Sequence, residues 1–541
     1  MSITRIIGGE MKNTTTGIMD LHSSESDYNI FATAQNNWQG EEGGIIHKEY
    51  ESPHPADTLS NRLELTLNIF FDGTTNNKKN TEAREKKNSS YQNNSNKKDD
   101  SYENDFTNVA RAYDVVSVSE IVQKSVYVEG VGTNDLDSDD TLPVGLAQSA
   151  GFWHSGLSDK VKVGCEKGAI EVKKASDGKP IDLLKINVYG FSRGAATARH
   201  FIHLMDKSCT VFVNPNGRFF LPDFNKTQYS LPIDKSKPKG SHPRHLDIKH
   251  GLFGQCLVAN GVYDDVKEIY FNFVGLYDTV SSHGFYHGND VTDLGLDAVK
   301  KAFMVFQLSA EDEYRENFDL TDIRSAGLRG LELTYPGVHS DIGGSYRQNE
   351  KERSAVYSET YTETYINNMT VPYIKKVNEL KKILVDEGWY LPEELTFEFD
   401  YEKKKTYLVG TRILQNTYDK IPLNKMIMVS KQFDVKYDGE LEKKKTNISD
   451  PFIANVFNQL TQYSKAVMAH RNDAIKENKN AQQYIAESAK ISYLDYIDAE
   501  DLKRLRHEYL HWSVKADKFG LGPRFDGVLP VEKRNREIHH G

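Results

Sequence analysis

Apolar residues along the first two thirds of the chain fall into short runs, separated by longer stretches with helical spacing. The runs are rich in branched and aromatic residues, and each ends near a glycine, proline or small polar residue, as strands do. They occupy 63–71, 125–132, 183–189, 268–277 and 328–335. Helical patterning marks the intervening sequence at 106–122, 145–175 and 195–202. Strands that alternate with helices predict an α/β fold whose mostly parallel sheet is covered on both faces.

The pattern changes along the chain, and these changes predict the domain organisation. Residues 1–60 are polar without a clear period and predict an N-terminal arm. Residues 61–350 carry the strand–helix alternation and predict the core with its loop insertions. Within this core, 78–100 predicts a mobile loop, because it has too few apolar residues to order itself. Residues 351–541 predict a mainly helical region, which either packs back on the core or forms a second helical domain.

Composition narrows the classes of protein to which the chain can belong. The 541 residues carry a formal net charge of −10, which argues against a nucleic-acid partner. No apolar run is long enough for a transmembrane helix, and the first residues lack the apolar core of a secretory signal. We therefore expect a protein that is made in the cytoplasm and uses no cleaved leader. Three widely spaced cysteines give neither a disulfide framework nor a zinc pattern.

The sequence Gly190-Phe191-Ser192-Arg193-Gly194 lies between a predicted strand and a predicted helix. A serine at a sharp strand-to-helix turn needs neighbours with almost no side chain, and the turn exposes its hydroxyl above the sheet. This context favours a nucleophile elbow and an α/β-hydrolase-like fold. The alternative is an ordinary glycine-rich connection, because the five-residue pattern also arises by chance.

A serine hydroxyl is a poor nucleophile at neutral pH, so the elbow requires a histidine base and a carboxylate that orients it. Asp278 and His339 each follow a predicted strand, in the order serine, acid, histidine. Asp278 could instead cap a turn, and His339 could be a structural loop residue. Asp341 competes as the acid, but it lies only two residues from His339, so we interpret it as a supporting residue that caps or braces the glycine turn. A metal site at His339 and Asp341 lacks a third ligand, so we expect no metal and no cofactor.

The oxyanion of the reaction needs two backbone donors. One would be the amide of Arg193, which follows the nucleophile, and the other would be the amide of Gly73 or Thr74 after the first strand. We interpret Asp72 as a brace for that loop. The Arg193 side chain could pair with a substrate phosphate, although a salt bridge on the helix is the alternative.

Five short motifs occur in an order that is familiar from a known family. They are Phe71-Asp72-Gly73-Thr74, Gly130-Val131-Gly132-Thr133, Gly190-Phe191-Ser192-Arg193-Gly194-Ala195, Tyr277-Asp278-Thr279-Val280 and Gly337-Val338-His339-Ser340-Asp341-Ile342-Gly343-Gly344. From about residue 63 to the last residue, including the final Arg-Glu-Ile-His-His-Gly, the chain resembles the first family of type VI secretion lipase effectors, which are bacterial α/β-hydrolase toxins.

The resemblance implies phospholipase A activity on the glycerophospholipids of bacterial membranes, and therefore peripheral contact with a phospholipid membrane. It implies Ser192 as the nucleophile, Asp278 as the orienting acid and His339 as the base. It also implies delivery into a competitor's periplasm on a secretion spike protein, and a cognate immunity protein in the producing cell.

We therefore predict an antibacterial phospholipase A that hydrolyses acyl ester bonds, with A1 slightly favoured over A2. Two alternatives remain open. One is a catalytically inactive hydrolase-fold adaptor on a secretion spike, and the other is an esterase or thioesterase that acts on soluble substrates.

Overall fold

The computed structural model describes residues 63–94, 100–118, 122–139, 156–224, 227–230, 244–281, 290–360, 371–517, 521–524 and 536–541. The predicted N-terminal arm at 1–60 lies outside these residues. The strands are β1 (Leu63–Phe71), β2 (Gln123–Val128), β3 (Ile181–Phe191), β4 (Cys209–Phe212), β5 (Arg218–Phe220), β6 (Gln228–Ser230), β7 (His245–Ile248), β8 (Val266–Tyr277), β9 (Met304–Ala310), β10 (Leu320–Thr321), β11 (Gly330–Tyr335), β12 (Glu350–Thr360), β13 (Leu395–Asp400), β14 (Lys405–Leu414) and β15 (Ile538–His539).

The helices are α1 (Lys78–Glu85), α2 (Ser89–Asn94), α3 (Asp100–Glu103), α4 (Asn108–Val115), α5 (Leu157–Ser176), α6 (Arg193–Met205), α7 (Gly251–Asn260), α8 (Asp290–Asp293), α9 (His339–Gly343), α10 (Val371–Asp386), α11 (Lys420–Lys431), α12 (Gly439–Thr446), α13 (Pro451–Lys476), α14 (Ala481–Ser488) and α15 (Ala499–Glu508). Short 3-10 turns lie at Leu296–Lys301, Arg324–Arg329, Pro392–Glu394, Thr417–Asp419 and Tyr493–Asp495. Within the described ranges, no helix has both the length and the apolar composition that crossing a bilayer requires.

A six-stranded sheet forms the centre of the molecule, in the order β11-β9-β8-β3-β1-β2, and every neighbouring pair in it is parallel. Successive side chains of a strand point to opposite faces of a sheet, and in this sheet the side chains on both faces are buried. Along β1, Leu65, Leu67 and Ile69 enter one buried apolar cluster, whereas Phe70 enters another. The predicted α/β fold with a mostly parallel sheet is therefore confirmed.

The two faces of the sheet are covered by different parts of the chain. Helices α5, α6 and α7 contribute buried side chains to the cluster on one face. The cluster on the other face contains side chains of α4 and of elements after residue 350, including α11 and α13. Residues after 350 thus pack directly on the sheet.

The strand register fixes which loops meet at the carboxyl edge of the sheet. Phe71 of β1 pairs with Gly190 of β3, and Phe191 pairs with Tyr277 of β8. The next residue of each strand is therefore a neighbour of the next residue of its partner, so Ser192 follows beside Asp278. The strand order also reverses direction between β1 and β3, and such switch points are where α/β sheets bind ligands.

Three features of the fold differ from the sequence-based expectations. We expected a mobile loop at 78–100, and this prediction is wrong for 78–94, which forms the helices α1 and α2. Polar side chains order it, since the buried Asn80 donates to Ser101 Oγ and the Asn134 carbonyl and accepts from the Leu136 amide. The buried strand β9 was not expected as a strand, and β12, β13 and β14 form an antiparallel sheet inside the region expected to be mainly helical.

Candidate active site

Ser192 occupies a strained turn between β3 and α6. Its backbone has φ 59° and ψ −128°, which an L-residue rarely adopts, and the residue is 6% exposed. The flanking glycines are required sterically. A Cβ on Gly190 would lie 2.4 Å from the Gly194 carbonyl oxygen, and a Cβ on Gly194 would lie 2.2 Å from the Asp72 carbonyl oxygen. The geometry is that of a nucleophile elbow.

Asp278 lies directly after β8, next to Ser192. The Ser192 amide donates to the Tyr277 carbonyl at 3.1 Å, and the Val280 amide donates to the Ser192 carbonyl at 3.4 Å. Asp278 also has a positive φ of 44° and is fully buried. Its carboxylate accepts from the Ala310 amide at 2.9 Å. The acid is therefore held in a fixed position beside the serine turn.

The imidazole of His339 contacts this carboxylate directly. His339 begins α9, and its Nδ1 lies 2.5 Å from Asp278 Oδ2. The ring packs between two aromatic side chains, with centroid distances of 4.6 Å to Phe191 and 5.1 Å to Phe318. Phe191 immediately precedes Ser192, so the histidine ring lies at the serine turn. The three residues expected from the sequence to act together are thus brought to one edge of the sheet.

Burial and charge set the protonation of this pair. Burial alone would raise the pKa of Asp278, but Arg536 and His339 outweigh it and hold that pKa well below its ordinary value. Burial lowers the pKa of His339 and outweighs the hydrogen bond and charge of Asp278, which act in the opposite direction. At neutral pH the pair therefore consists of a carboxylate and a neutral imidazole, which is the form that can accept a proton.

The loop after β1 lies against the serine turn and supplies candidate oxyanion donors. A Cβ on Gly73 would lie 2.6 Å from the Phe191 ring, so the loop is in close contact with the residue before Ser192. The Gly73 amide already donates to Asp72 Oδ1 at 2.7 Å. The amides of Thr74 and Arg193, in contrast, donate to no other described residue. Of the two loop candidates, Thr74 is therefore the one whose amide is available.

Asp72, which we interpreted from the sequence as a brace for this loop, accepts three hydrogen bonds. Its Oδ1 accepts from Gly73 and from Thr107 Oγ1 at 2.7 Å, and its Oδ2 accepts from the Tyr127 hydroxyl at 2.5 Å. Burial raises the pKa of Asp72 to about 6, against these hydrogen bonds. The side chain is 2% exposed and contacts the loop rather than a neighbouring imidazole.

Asp341, the competing acid, pairs with a different histidine. Its Oδ1 lies 2.8 Å from His511 Nδ1, and its Oδ2 accepts from the amides of Val338 and His511. Asp341 thus stabilises the turn that carries His339 and fastens it to the segment at 511. The partner of His339 is Asp278.

The comparisons with known proteins bear on the family and the fold. The family described as T6SS, phospholipase effector Tle1-like, catalytic domain, matches residues 66–370. The chain belongs to this family of type VI secretion phospholipase effectors. A search of curated proteins gives no match.

Among solved structures, the Tle1 effector bound to the VgrG spike from the type 6 secretion system is similar at 18% identity and a TM-score of 0.55. That alignment covers 92% of this chain and 99% of the other. At this identity the likeness shows the fold alone.

Two further solved structures are more distant. An uncharacterized protein from Pseudomonas aeruginosa aligns at 16% identity with a TM-score of 0.35, over 77% of this chain and 53% of that one. The apo form of Thermogutta terrifontis esterase 2 aligns at 11% identity with a TM-score of 0.20, over 62% and 87%. At these scores neither alignment bears on the fold or the site.

The structure of this Tle1-like effector adds a residue to the site that chemical reasoning from the sequence did not identify. Arg536, near the last residue of the chain, places its guanidinium on Asp278, with Nη1 2.6 Å from Oδ1 and Nη2 2.9 Å from Oδ2. The final Arg-Glu-Ile-His-His-Gly segment contributed to the family resemblance. No local pattern, however, indicated which residue it would contact.

Among the described residues, the carboxylates of Asp319 and Glu537 and the imidazole of His539 lie close enough together to hold a metal ion. Arg524 forms ion pairs with both carboxylates, and His539 lies 3.1 Å from Asp319. This cluster is already compensated by a protein cation, so it makes a poor cation site.

Proposed function

We propose that this effector hydrolyses acyl esters of membrane glycerophospholipids with Ser192 as nucleophile, His339 as base and Asp278 as orienting acid. The observation that carries the proposal is the 2.5 Å contact from His339 to Asp278 beside the strained turn of Ser192. Membership of a phospholipase effector family supports the substrate class.

The proposal gives each group a role in the reaction. The Nδ1 atom of His339 is held by Asp278, so the proton of Ser192 would pass to Nε2 as its oxygen attacks the ester carbonyl. The resulting oxyanion would be received by the amides of Arg193 and Thr74, helped by the N-terminal end of α6. His339 would then protonate the departing lysophospholipid, and water would release the fatty acid by the same route.

The side chain of Arg193 supports a phospholipid over a neutral ester. Burial lowers its pKa to about 10, and no described acidic residue forms an ion pair with it. A guanidinium next to the nucleophile without an acidic partner suits an anionic phosphate of the substrate. We favour the A1 position slightly over A2, and the labelled acyl chain that is released decides between them.

We also propose the delivery route that the family resemblance implied. The similar structure of Tle1 is bound to the VgrG spike, and its alignment covers 92% of this chain. A spike protein of that kind is therefore the proposed carrier into a competitor's periplasm. A cognate immunity protein in the producing cell completes the proposal.

The deciding experiment measures fatty-acid release from phospholipid vesicles whose two acyl chains carry different labels. We expect Ser192→Ala to abolish release and labelling by a fluorophosphonate, with the melting temperature unchanged. Ser176→Ala is the matched control, since Ser176 is a buried serine at the end of α5, before β3 and so at the opposite edge of the sheet. Release by the S192A variant at the parental rate would refute the proposal. Absence of both labelling and ester hydrolysis in the parent would favour the inactive adaptor alternative, whereas labelling of Ser192 without phospholipid hydrolysis would favour an esterase or thioesterase that acts on soluble substrates.

A further inference from the structure

The last described segment of the chain reaches the candidate active site. Arg536 is 7% exposed at its side chain, and its guanidinium makes a two-point contact with the fully buried carboxylate of Asp278. Its Nε donates to the Phe318 carbonyl at 2.8 Å, and Nη1 is also 3.2 Å from the Ala310 carbonyl. All the donor nitrogens of this guanidinium are therefore engaged at the site.

A short strand holds Arg536 in this position. β15, which follows it, pairs in parallel with β10. The Leu320 amide donates to the Glu537 carbonyl at 3.0 Å, and the Asp322 amide donates to the His539 carbonyl at 2.9 Å. Two backbone hydrogen bonds thus fasten the segment directly after Arg536.

The carboxylate of Asp278 does not need Arg536 in order to be hydrogen-bonded. It already accepts from the Ala310 amide and contacts His339, so the carboxylate would have hydrogen-bond partners without the guanidinium. The guanidinium adds two things. Its planar fork matches both carboxylate oxygens and so fixes the orientation of the Asp278 carboxylate, and it places a positive charge on the far side of the acid.

We propose that Arg536 is a positioning residue for ester hydrolysis, which fixes the Asp278 carboxylate and partly cancels the negative charge that Asp278 presents to His339. This inference rests on the proposed function. It makes the candidate active site dependent on the docked C-terminal strand, since β15 brings the guanidinium to the acid.

The charge effect has a definite sign. The groups that face His339 are Asp278 after β8, Glu313 and Arg315 from the loop after β9, and, through Asp278, Arg536. Without the guanidinium, Asp278 would stabilise the imidazolium more strongly. The pKa of His339 would then rise, and the acid limb of the rate profile would move to higher pH, because only the neutral imidazole accepts the serine proton.

The test compares R536Q and R536K with the parent on a short-chain phosphatidylcholine below its micellar concentration. For R536Q we expect kcat to fall about 10- to 100-fold with KM little changed, since the acid is no longer held in place. We also expect the acid limb of kcat/KM to rise by about one pH unit. R536K keeps the charge but lacks the planar fork, so its limb should stay at the parental pH while kcat is only partly restored.

Arg324→Gln is the matched control. It removes a guanidinium that pairs with Asp322 beside the same strand and does not contact Asp278. The proposal would be overturned if the acid limb of kcat/KM in R536Q lay at the parental pH. It would also be overturned if the limb in R324Q shifted as far as the limb in R536Q. If R536Q does not fold, R536K decides, since a parental kcat in that variant would also overturn it.

Ser192→Ala, measured in parallel, separates this inference from the proposed function. If the parent releases no fatty acid, or if S192A is as active as the parent, the proposed function fails. If only S192A is inactive and R536Q matches the parent, the role of Arg536 alone fails.

Discussion

Replacing Asp278 with Asn should both destabilise the protein and inactivate it, for separable reasons. Arg536 would lose the charge of its partner, and the Asn amide would keep one acceptor oxygen but present N–H groups in place of the other, so at least one of the contacts of 2.6 and 2.9 Å would be lost. Its guanidinium would keep the carbonyls of Phe318 and Ala310. Removing one partner of a buried ion pair costs about 3–5 kcal/mol, and these two carbonyl contacts favour the lower end, about 3 kcal/mol.

The loss of activity has a different origin. Without the carboxylate, His339 loses the group that selects its tautomer and stabilises its charged form, so kcat should fall by about 10⁴. The double variant D278N/R536Q removes the unpaired guanidinium as well. We expect it to regain most of the lost stability and none of the lost activity.

Denaturant unfolding of the parent, both single variants and the double variant gives the free energy of unfolding for the complete cycle. Fluorophosphonate inactivation rates follow the nucleophile in the same samples. The reasoning would be refuted if D278N were as stable as the parent, or if the double variant were no more stable than D278N.

Three further predictions follow from the same geometry. Because burial lowers the pKa of His339, we expect the acid limb of kcat/KM to lie below pH 6.5. Activity should be lost only as the pH falls through the pKa of His339, and an acid limb above pH 7 would contradict this prediction. Gly194→Ala places a Cβ 2.2 Å from the Asp72 carbonyl oxygen and should lower both the melting temperature and the activity, whereas Gly439→Ala, where a Cβ has no atom within 4 Å, should change neither. Asp341→Asn should lower the melting temperature through loss of the His511 contact while leaving the acid limb in place; a shifted limb would make Asp341 part of the proton transfer.

The parts of the fold that were predictable from the sequence are those where one local pattern decides the structure. β1, β3 and β8 are rich in branched and aromatic residues and are apolar towards their carboxyl ends, as strands buried on both faces are. The glycines around Ser192 were informative for the same reason, because their close backbone contacts exclude any side chain. Parallel strands then place their following loops at one edge, which is why Asp278 and His339 could be named.

The features that were missed depend on contacts between distant residues. Helix α1 contains few apolar side chains and is ordered by Asn80, whose partners lie at Ser101, Asn134 and Leu136. The sequence made the Gly73 amide a candidate oxyanion donor, but this amide donates its hydrogen bond to the side chain of Asp72. Hydrogen bonds of this kind have no periodic signature, so sequence patterns do not indicate them.

The pairing of Asp278 with Arg536 is the extreme case of such a contact, since the two residues are far apart in the sequence. Asp278 and Ser192 are linked by the register of neighbouring strands in a large buried sheet, so their relative position is stabilised by the whole core. Arg536 lies instead before the two-residue strand β15, which pairs only with the two-residue strand β10 among the described strands. Elements with few buried contacts open most readily in native proteins. Among the elements that carry residues of the site, we therefore expect the C-terminal segment to open most readily.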